Sequence, residues 1–264
     1  MTDFVFIDSG VGGIPYMTSL LQKEPGASCI YVADNANFPY GEKSHDQVVA
    51  CVLELVEKIC RRFEPQVIVL ACNTISVNAL EILRQKFPDV KFVGTVPAIK
   101  LAASVTQKKR IGLIATASTC NNPYNMELKK LFADDCQLIM RPDAELISFI
   151  EKKAFTASKE ELEAAVKPVI DFFIKEDCDV IVLGCTHFLN IKDVFERAGT
   201  IKIVDSVDGV VRHALGLLSD GIPGQGVEFS SKTQAPASLY ITGALNSSYD
   251  FICSHYNIAF GGNI

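Results

Sequence analysis

The sequence lacks any apolar run approaching the roughly twenty residues of a membrane span. Its opening, Met1-Thr2-Asp3-Phe4, has neither the basic region nor the small-residue cleavage site of a secretory signal. It has no excess of basic charge. The 25 Lys and Arg are outnumbered by 31 Asp and Glu, and a net charge of -6 gives no basic face for nucleic acid. None of its nine cysteines forms a Cys-x-x-Cys pair, and the number is odd, which argues against a disulfide framework or a ribbon-like zinc site. There is no Gly-x-x-x-x-Gly-Lys-Ser/Thr phosphate loop and no short-period repeat. These absences predict a cytoplasmic chain with reduced thiols, no membrane and no nucleic-acid partner.

What is present is enough for a sizeable core: 264 residues, 48% of them hydrophobic and 21% charged. Short β-branched runs alternate with stretches of helical period. The pattern predicts strands at 4–7, 29–33, 67–70, 91–94, 111–115, 136–140, 180–183, 201–204 and 238–242. Helices are expected from Pro15 to about Gln22, after a Ser44 cap to about Phe63, to about Phe87, and in a short segment before Gln107. Others are expected at 125–132, 144–152, 159–175 and 210–218, with one more at the end. Pro168 predicts a kink or boundary in the 159–175 helix. Thr116–Thr119 reads as a polar turn, and 221–236 as a loose Gly/Pro loop. Cys51 and Cys60 read as small buried hydrophobes on an amphipathic helix.

Two stretches nearly repeat each other: Val67-Ile68-Val69-Leu70-Ala71-Cys72-Asn73-Thr74 and Val180-Ile181-Val182-Leu183-Gly184-Cys185-Thr186-His187. Each is preceded, at a comparable distance, by a strand ending in a polar turn, at Asp8 and at Thr116. The fold expected is α/β: two similar doubly wound, mainly parallel-sheet domains related by pseudo-symmetry, 1–96 with 210–264 and 97–209, the active site in the cleft between them.

The motifs leave several chemistries open. Gly10-Val11-Gly12-Gly13 follows a strand, but the third glycine of a dinucleotide fingerprint would fall on Pro15. Its amides still suit an anion such as a carboxylate, and Asp8 at that edge is a candidate site acid. Each repeat cysteine sits between a strand and an apparent helix start, where the dipole favours thiolate. Such a thiolate serves as nucleophile, metal ligand or base. A zinc site built on Cys185 and His187 needs a further ligand that no spacing supplies. A Cys-His nucleophile pair leaves the duplication unexplained. Two thiols from two equivalent halves suit a racemase, in which one group removes a proton from one face and the other returns one to the opposite face. Two duplicated core strands with incidental cysteines are the plain alternative.

Taken together, Ile7-Asp8-Ser9-Gly10-Val11-Gly12-Gly13, Phe38-Pro39-Tyr40-Gly41, Ala71-Cys72-Asn73-Thr74, Val96-Pro97-Ala98-Ile99 and Gly184-Cys185-Thr186-His187 resemble the ordered signatures of the bacterial glutamate racemases, within the cofactor-independent aspartate/glutamate racemases. The resemblance runs over nearly the whole chain, and Asp8-Ser9 with His187 points to glutamate. It implies interconversion of L- and D-glutamate for peptidoglycan, with no pyridoxal phosphate, other cofactor or metal, in a homodimer. It makes Cys72 and Cys185 the two acid/base thiols, Cys72 acting on D-glutamate and Cys185 on L-glutamate. Asp8 would assist the first and His187 the second. Ser9, Tyr40, Gly41, Asn73, Thr74 and Thr186 would bind substrate, with Glu151 and Thr119 in support. Two departures stand out: Asn37 where many members carry arginine, and Phe188-Leu189-Asn190 where Tyr-Pro-Leu is more usual. The few residues before the first strand lead to the expectation that activation by a cell-wall precursor through an amino-terminal extension does not operate. The alternatives are a related racemase of aspartate or another acidic substrate, and a binding protein using the same cleft.

Overall fold

The computed structural model describes residues 2–199, 201–218, 237–246 and 248–264. The expected 221–236 loop lies outside them. The chain divides into two compact units, Met1–Thr95 with Val207–Ile264, and Val96–Ser206.

The first unit opens with β1 (Thr2–Asp8), α1 (Ile14–Lys23), β2 (Cys29–Ala33), α2 (His45–Phe63), β3 (Pro65–Leu70), α3 (Asn73–Lys86) and β4 (Lys91–Gly94). The second contains α4 (Ile99–Val105), β5 (Arg110–Ala115), α5 (Ala117–Asn121), α6 (Tyr124–Phe132), β6 (Gln137–Pro142), α7 (Ala144–Lys153), α8 (Lys159–Lys175), β7 (Val180–Leu183), α9 (Lys192–Arg197) and β8 (Lys202–Val204). The chain then returns to the first unit with α10 (Val207–Leu218), β9 (Ser238–Ile241), α11 (Ser248–Tyr256) and β10 (Ala259–Asn263).

The first unit is a six-stranded sheet in the order β10-β9-β2-β1-β3-β4, parallel throughout. Every residue of β1 is buried, as expected of a central parallel strand covered on both faces. Val5, Ile7, Ile68 and Leu70 pack with α2 and α3 on one face, while α1 and α10 cover the other. Each large apolar side chain fully buried here contributes about 1.5–3 kcal/mol over leaving it in water. Ser44 caps α2 in a full capping box with Gln47. Glu64, in the left-handed conformation, ends the helix just before Pro65. Cys51 and Cys60 are only half-buried, on the flanks of α2 rather than its core stripe.

The second unit is a four-stranded parallel sheet, β6-β5-β7-β8. Ile111, Leu113 and Ala115 of β5 meet α4 and α6 on one face. On the other, Phe173 of α8 lies over Gly112.

Three expectations are modified. No boundary falls at Pro168, which lies inside α8. Ala164, whose carbonyl the proline deprives of its helical N–H partner, is exposed like Pro168. The polar turn after β5 is a short helix, α5, with the Thr116 hydroxyl accepting from Thr119 N at 3.1 Å. β10 follows the last helix as a parallel edge strand; Gly261 and Gly262 break its apolar alternation, which hid it in the sequence.

Candidate active site

In each unit the strand order reverses about one strand. β1 has β2 on one side and β3 on the other, and β5 has β6 and β7. The loops leaving the carboxyl ends of such a pair turn apart and open a crevice, where open α/β sheets hold their ligands. In the first unit that edge carries Asp8-Ser9 after β1 and Ala71-Cys72 after β3; β1 and β3 pair through Ile7 and Leu70. In the second it carries Thr116 after β5 and Gly184-Cys185 after β7, with Ile114 against Leu183. The two near-repeats therefore occupy equivalent places in equivalent sheets.

Close packing holds both edges. A Cβ on Gly13 would stand 2.5 Å from the Ala71 carbonyl oxygen, so only glycine lets the turn after β1 lie against the residue before Cys72. A Cβ on Gly184 would stand 2.5 Å from a Leu113 methyl, so glycine keeps the approach to Cys185 tight against β5. The glycine-rich turn does not offer all its amides to an anion. Ser9 N donates to Asp8 Oδ1 at 2.7 Å, and Gly13 N to the Tyr31 hydroxyl at 2.9 Å, which in turn donates to Gly10 O at 3.0 Å. That corrects the expectation for Gly13 N, which braces the turn, while Ser9 N orients Asp8.

Cys72 is buried and sits as the N-cap residue of α3, so the amides of the first helical turn and the axial dipole favour its thiolate. Asp8, Ser9, Asn73 and Thr74 are buried along the same edge. Asn73 Oδ1 is buried with no hydrogen-bond partner among the described residues, an acceptor held ready for a donor. Tyr40 and Gly41 belong to a one-turn helix, Tyr40–Glu42, that packs against α3. Tyr40 is fully buried, and its hydroxyl donates to Asp34. Burial, then the Asp34 charge, holds the phenol protonated far above the usual range, with the Cys72 thiol adding to the push.

Asp34, directly after β2, belongs to none of the sequence motifs yet is central to this edge. It is 1% exposed and also accepts from Asn37 Nδ2, at 3.1 and 3.0 Å, and from Thr242 Oγ1 at 2.6 Å. An acid directly following an apolar strand is the signal that singled out Asp8, and it applied equally here. Asn37, the departure from the arginine of many family members, thus faces the same carboxylate.

Cys185 is buried, but it precedes a six-residue 3-10 turn, Thr186–Ile191, rather than an α-helix. The helix-dipole argument made for both cysteines therefore holds for Cys72 and much less for Cys185. What stands at Cys185 instead is a relay. His187 Nδ1 lies 3.5 Å from Cys185 Sγ, and its Nε2 lies 2.8 Å from Glu151 Oε2, delivered by α7. Burial alone would drive this imidazole neutral. The hydrogen bonds and charges of Cys185 and Glu151 outweigh burial and hold its pKa well above 6.5. Thr186 is buried beside it, and Thr119 is buried at the end of β5's loop, its hydroxyl 3.1 Å from that of Thr116. Neighbouring Cys120 lies close enough to Cys185 to feel its charge.

None of the nine cysteines forms a disulfide. In the seven outside the two edges, burial is the first cause pushing the pKa up, to about 11 in Cys120 and Cys178. Such thiols are inert fillers. Among the described residues no three His, Cys, Asp or Glu side chains group as a metal site would require. No described helix is long and apolar enough to cross a membrane.

A family model described as Asp/Glu/hydantoin racemase matches residues 13–214. A glutamate racemase of Treponema pallidum (strain Nichols) is 39% identical over 266 residues, covering 98% of this chain and 95% of its own length. One from Proteus mirabilis is 39% identical over 216 residues, 80% of this chain and 74% of its own. The crystal structure of Escherichia coli glutamate racemase with L-glutamate and the activator UDP-MurNAc-ala aligns with a TM-score of 0.83 at 31% identity, covering 100% of this chain and 97% of that one.

Proposed function

The chain belongs to the Asp/Glu/hydantoin racemase family, and from that premise we propose that it interconverts L- and D-glutamate by a two-thiol mechanism without a cofactor. The observation that carries this reading is the equivalent placement of Cys72 and Cys185 at the strand-order reversals of two parallel sheets, each beside a different polar partner.

The chemistry follows from that difference. Cys72 as thiolate removes the α-proton of D-glutamate, and Cys185 as thiol returns a proton to the opposite face; from L-glutamate the roles reverse. After each turnover the thiol and thiolate have exchanged places, so a proton must be handed back before the next substrate of the same hand. Asp8 serves Cys72 in this, and the His187–Glu151 pair serves Cys185. Glutamate offers no electron sink as strong as a cofactor imine, so the site must stabilise carbanion character with fixed dipoles and excluded water. Ser9, Thr74 and Thr186 supply hydroxyls for the carboxylates, and the open acceptor Asn73 Oδ1 suits the α-ammonium. Tyr40 and Gly41 border the same substrate. Thr119, behind Cys185, supports that side. We place the enzyme in the cytoplasm as a homodimer, supplying D-glutamate to peptidoglycan.

The test is incubation with each enantiomer of glutamate in heavy water, with no added cofactor. Circular dichroism follows racemisation and proton NMR follows α-deuteration. Loss of optical activity with deuterium at Cα is expected from either enantiomer. No turnover, or turnover of aspartate in its place, overturns the reading.

A further inference from the structure

Far from the thiols in sequence, the segment after β9 ties itself to the loop that carries Tyr40. The Thr242 hydroxyl donates to Asp34 Oδ1 at 2.6 Å and accepts from Ala36 N at 3.1 Å. Asn35 Oδ1 accepts from Thr242 N at 3.1 Å and from Gly243 N at 2.6 Å, while Asn35 Nδ2 donates to Ala244 O at 3.1 Å. Asp34 thus joins two elements: one oxygen takes Thr242, and the other takes the Tyr40 hydroxyl.

We propose that Thr242 is a positioning residue for substrate binding: by fixing the Asp34 carboxylate, it fixes Tyr40 and the Tyr40-Gly41 turn. This rests on the racemase reading above, in which Tyr40 and Gly41 border the substrate. The reasoning is geometric. A carboxylate on a loop can rotate about two side-chain torsions. Three side-chain donors from separate positions, Asn37, Tyr40 and Thr242, leave it a single orientation. Of these three donors, Thr242 alone comes from outside the 34–40 loop. It is anchored by β9, which pairs with β2 through Val32–Tyr240 and Ala33–Ile241. Removing its hydroxyl leaves the Asp34 carboxylate held only by Asn37 and Tyr40 of its own loop, free to rotate and carry the Tyr40 hydroxyl with it, while the backbone stays tied through Asp34 N to Asp8 O at 2.8 Å and through the Asn35 side chain. Thr242 touches neither thiol, so its loss weakens substrate positioning before it weakens proton transfer.

Thr242→Val keeps the shape and deletes the hydroxyl; Thr242→Ser keeps the hydroxyl. KM and kcat are measured from both enantiomers, with folding checked by circular dichroism. Thr242→Val should raise KM about tenfold, the size expected for losing one hydrogen bond to a buried charge, with kcat changed by less than about threefold. Thr242→Ser should restore KM to within about twofold. Tyr40→Phe cuts the other end of the link, so adding Thr242→Val to it should raise KM far less than in the wild-type background. Thr242→Ala replaces Thr242→Val in the series if the valine protein does not fold. An unchanged KM, a loss confined to kcat, a serine variant as impaired as valine, or additive effects with Tyr40→Phe would each overturn the proposal. If the wild-type protein turns over neither enantiomer, the racemase reading falls and this inference with it. Wild-type turnover with no response at position 242 overturns this inference alone.

Discussion

Replacing Glu151 by glutamine isolates the charge that holds His187 protonated. Glutamine keeps an acceptor where Glu151 Oε2 now meets Nε2 at 2.8 Å, but deletes the negative charge. A hydrogen bond to a charged partner is worth about 1.5–3 kcal/mol and a neutral one about 0.5–1.5. The difference is about 1–1.5 kcal/mol. Losing the Glu151 charge should lower the His187 pKa, while the Cys185 hydrogen bond still holds it up. Because folding raises this pKa, the native state holds the proton more tightly than the unfolded chain. The resulting stability is complete below the unfolded value and is lost as pH rises through the folded value. The wild type should therefore melt about 2–4 °C above Glu151→Gln at pH 6. The gap should close once the pH exceeds the wild-type folded pKa. Removal of the α-proton from L-glutamate, followed as deuterium incorporation, should lose its His187-dependent limb at lower pH in the variant. Removal from D-glutamate should shift less. NMR titration of the imidazole and melting curves across pH are the assays. An unmoved His187 pKa, or a melting difference that grows with pH, would refute the relay as described.

Cys72→Ala and Cys185→Ala should each lower kcat for racemisation by on the order of 10²–10⁴-fold, the range for losing a general acid or base; full activity in either rules out the two-thiol mechanism. Gly13→Ala drives a Cβ to within 2.5 Å of the Ala71 carbonyl oxygen. It should cost about 1–3 kcal/mol in a thermal melt and, by displacing Cys72, lower kcat on the order of 10–100-fold; wild-type values of both would show that the edge tolerates a side chain. Ser158→Ala removes the capping box in which Ser158 Oγ accepts from Glu161 N at 3.2 Å and Ser158 N donates to Glu161 Oε2 at 2.7 Å. It should cost about 1 kcal/mol of stability with kcat/KM unchanged, read by melting and by the racemase assay.

Local signals carried much of the fold and of the site. β-branched runs marked nearly every strand, because a strand buried on both faces must be apolar throughout, and the Ser44 box and Glu64-Pro65 marked the ends of α2. The candidate site was visible because a small residue and then cysteine after such a run, twice, is a local pattern. Local signals misled where the outcome depended on surroundings. Pro168 is tolerated because its helix face is in water, and β10 forms because β9 offers it a ladder despite its glycines.

The sequence by itself determined which residues stand at or just beyond the strand ends: Asp8 and Cys72, Thr116 and Cys185. The period of the hydrophobic pattern fixes where a buried strand must stop. Only the tertiary structure decided how those ends are served. The short 3-10 turn after Cys185, the reach of Glu151 to His187 and the meeting of Thr242 with Asp34 all join residues distant in the chain or set by packing. No local propensity encodes such pairings; they exist because strand order and helix packing bring those side chains within hydrogen-bonding distance.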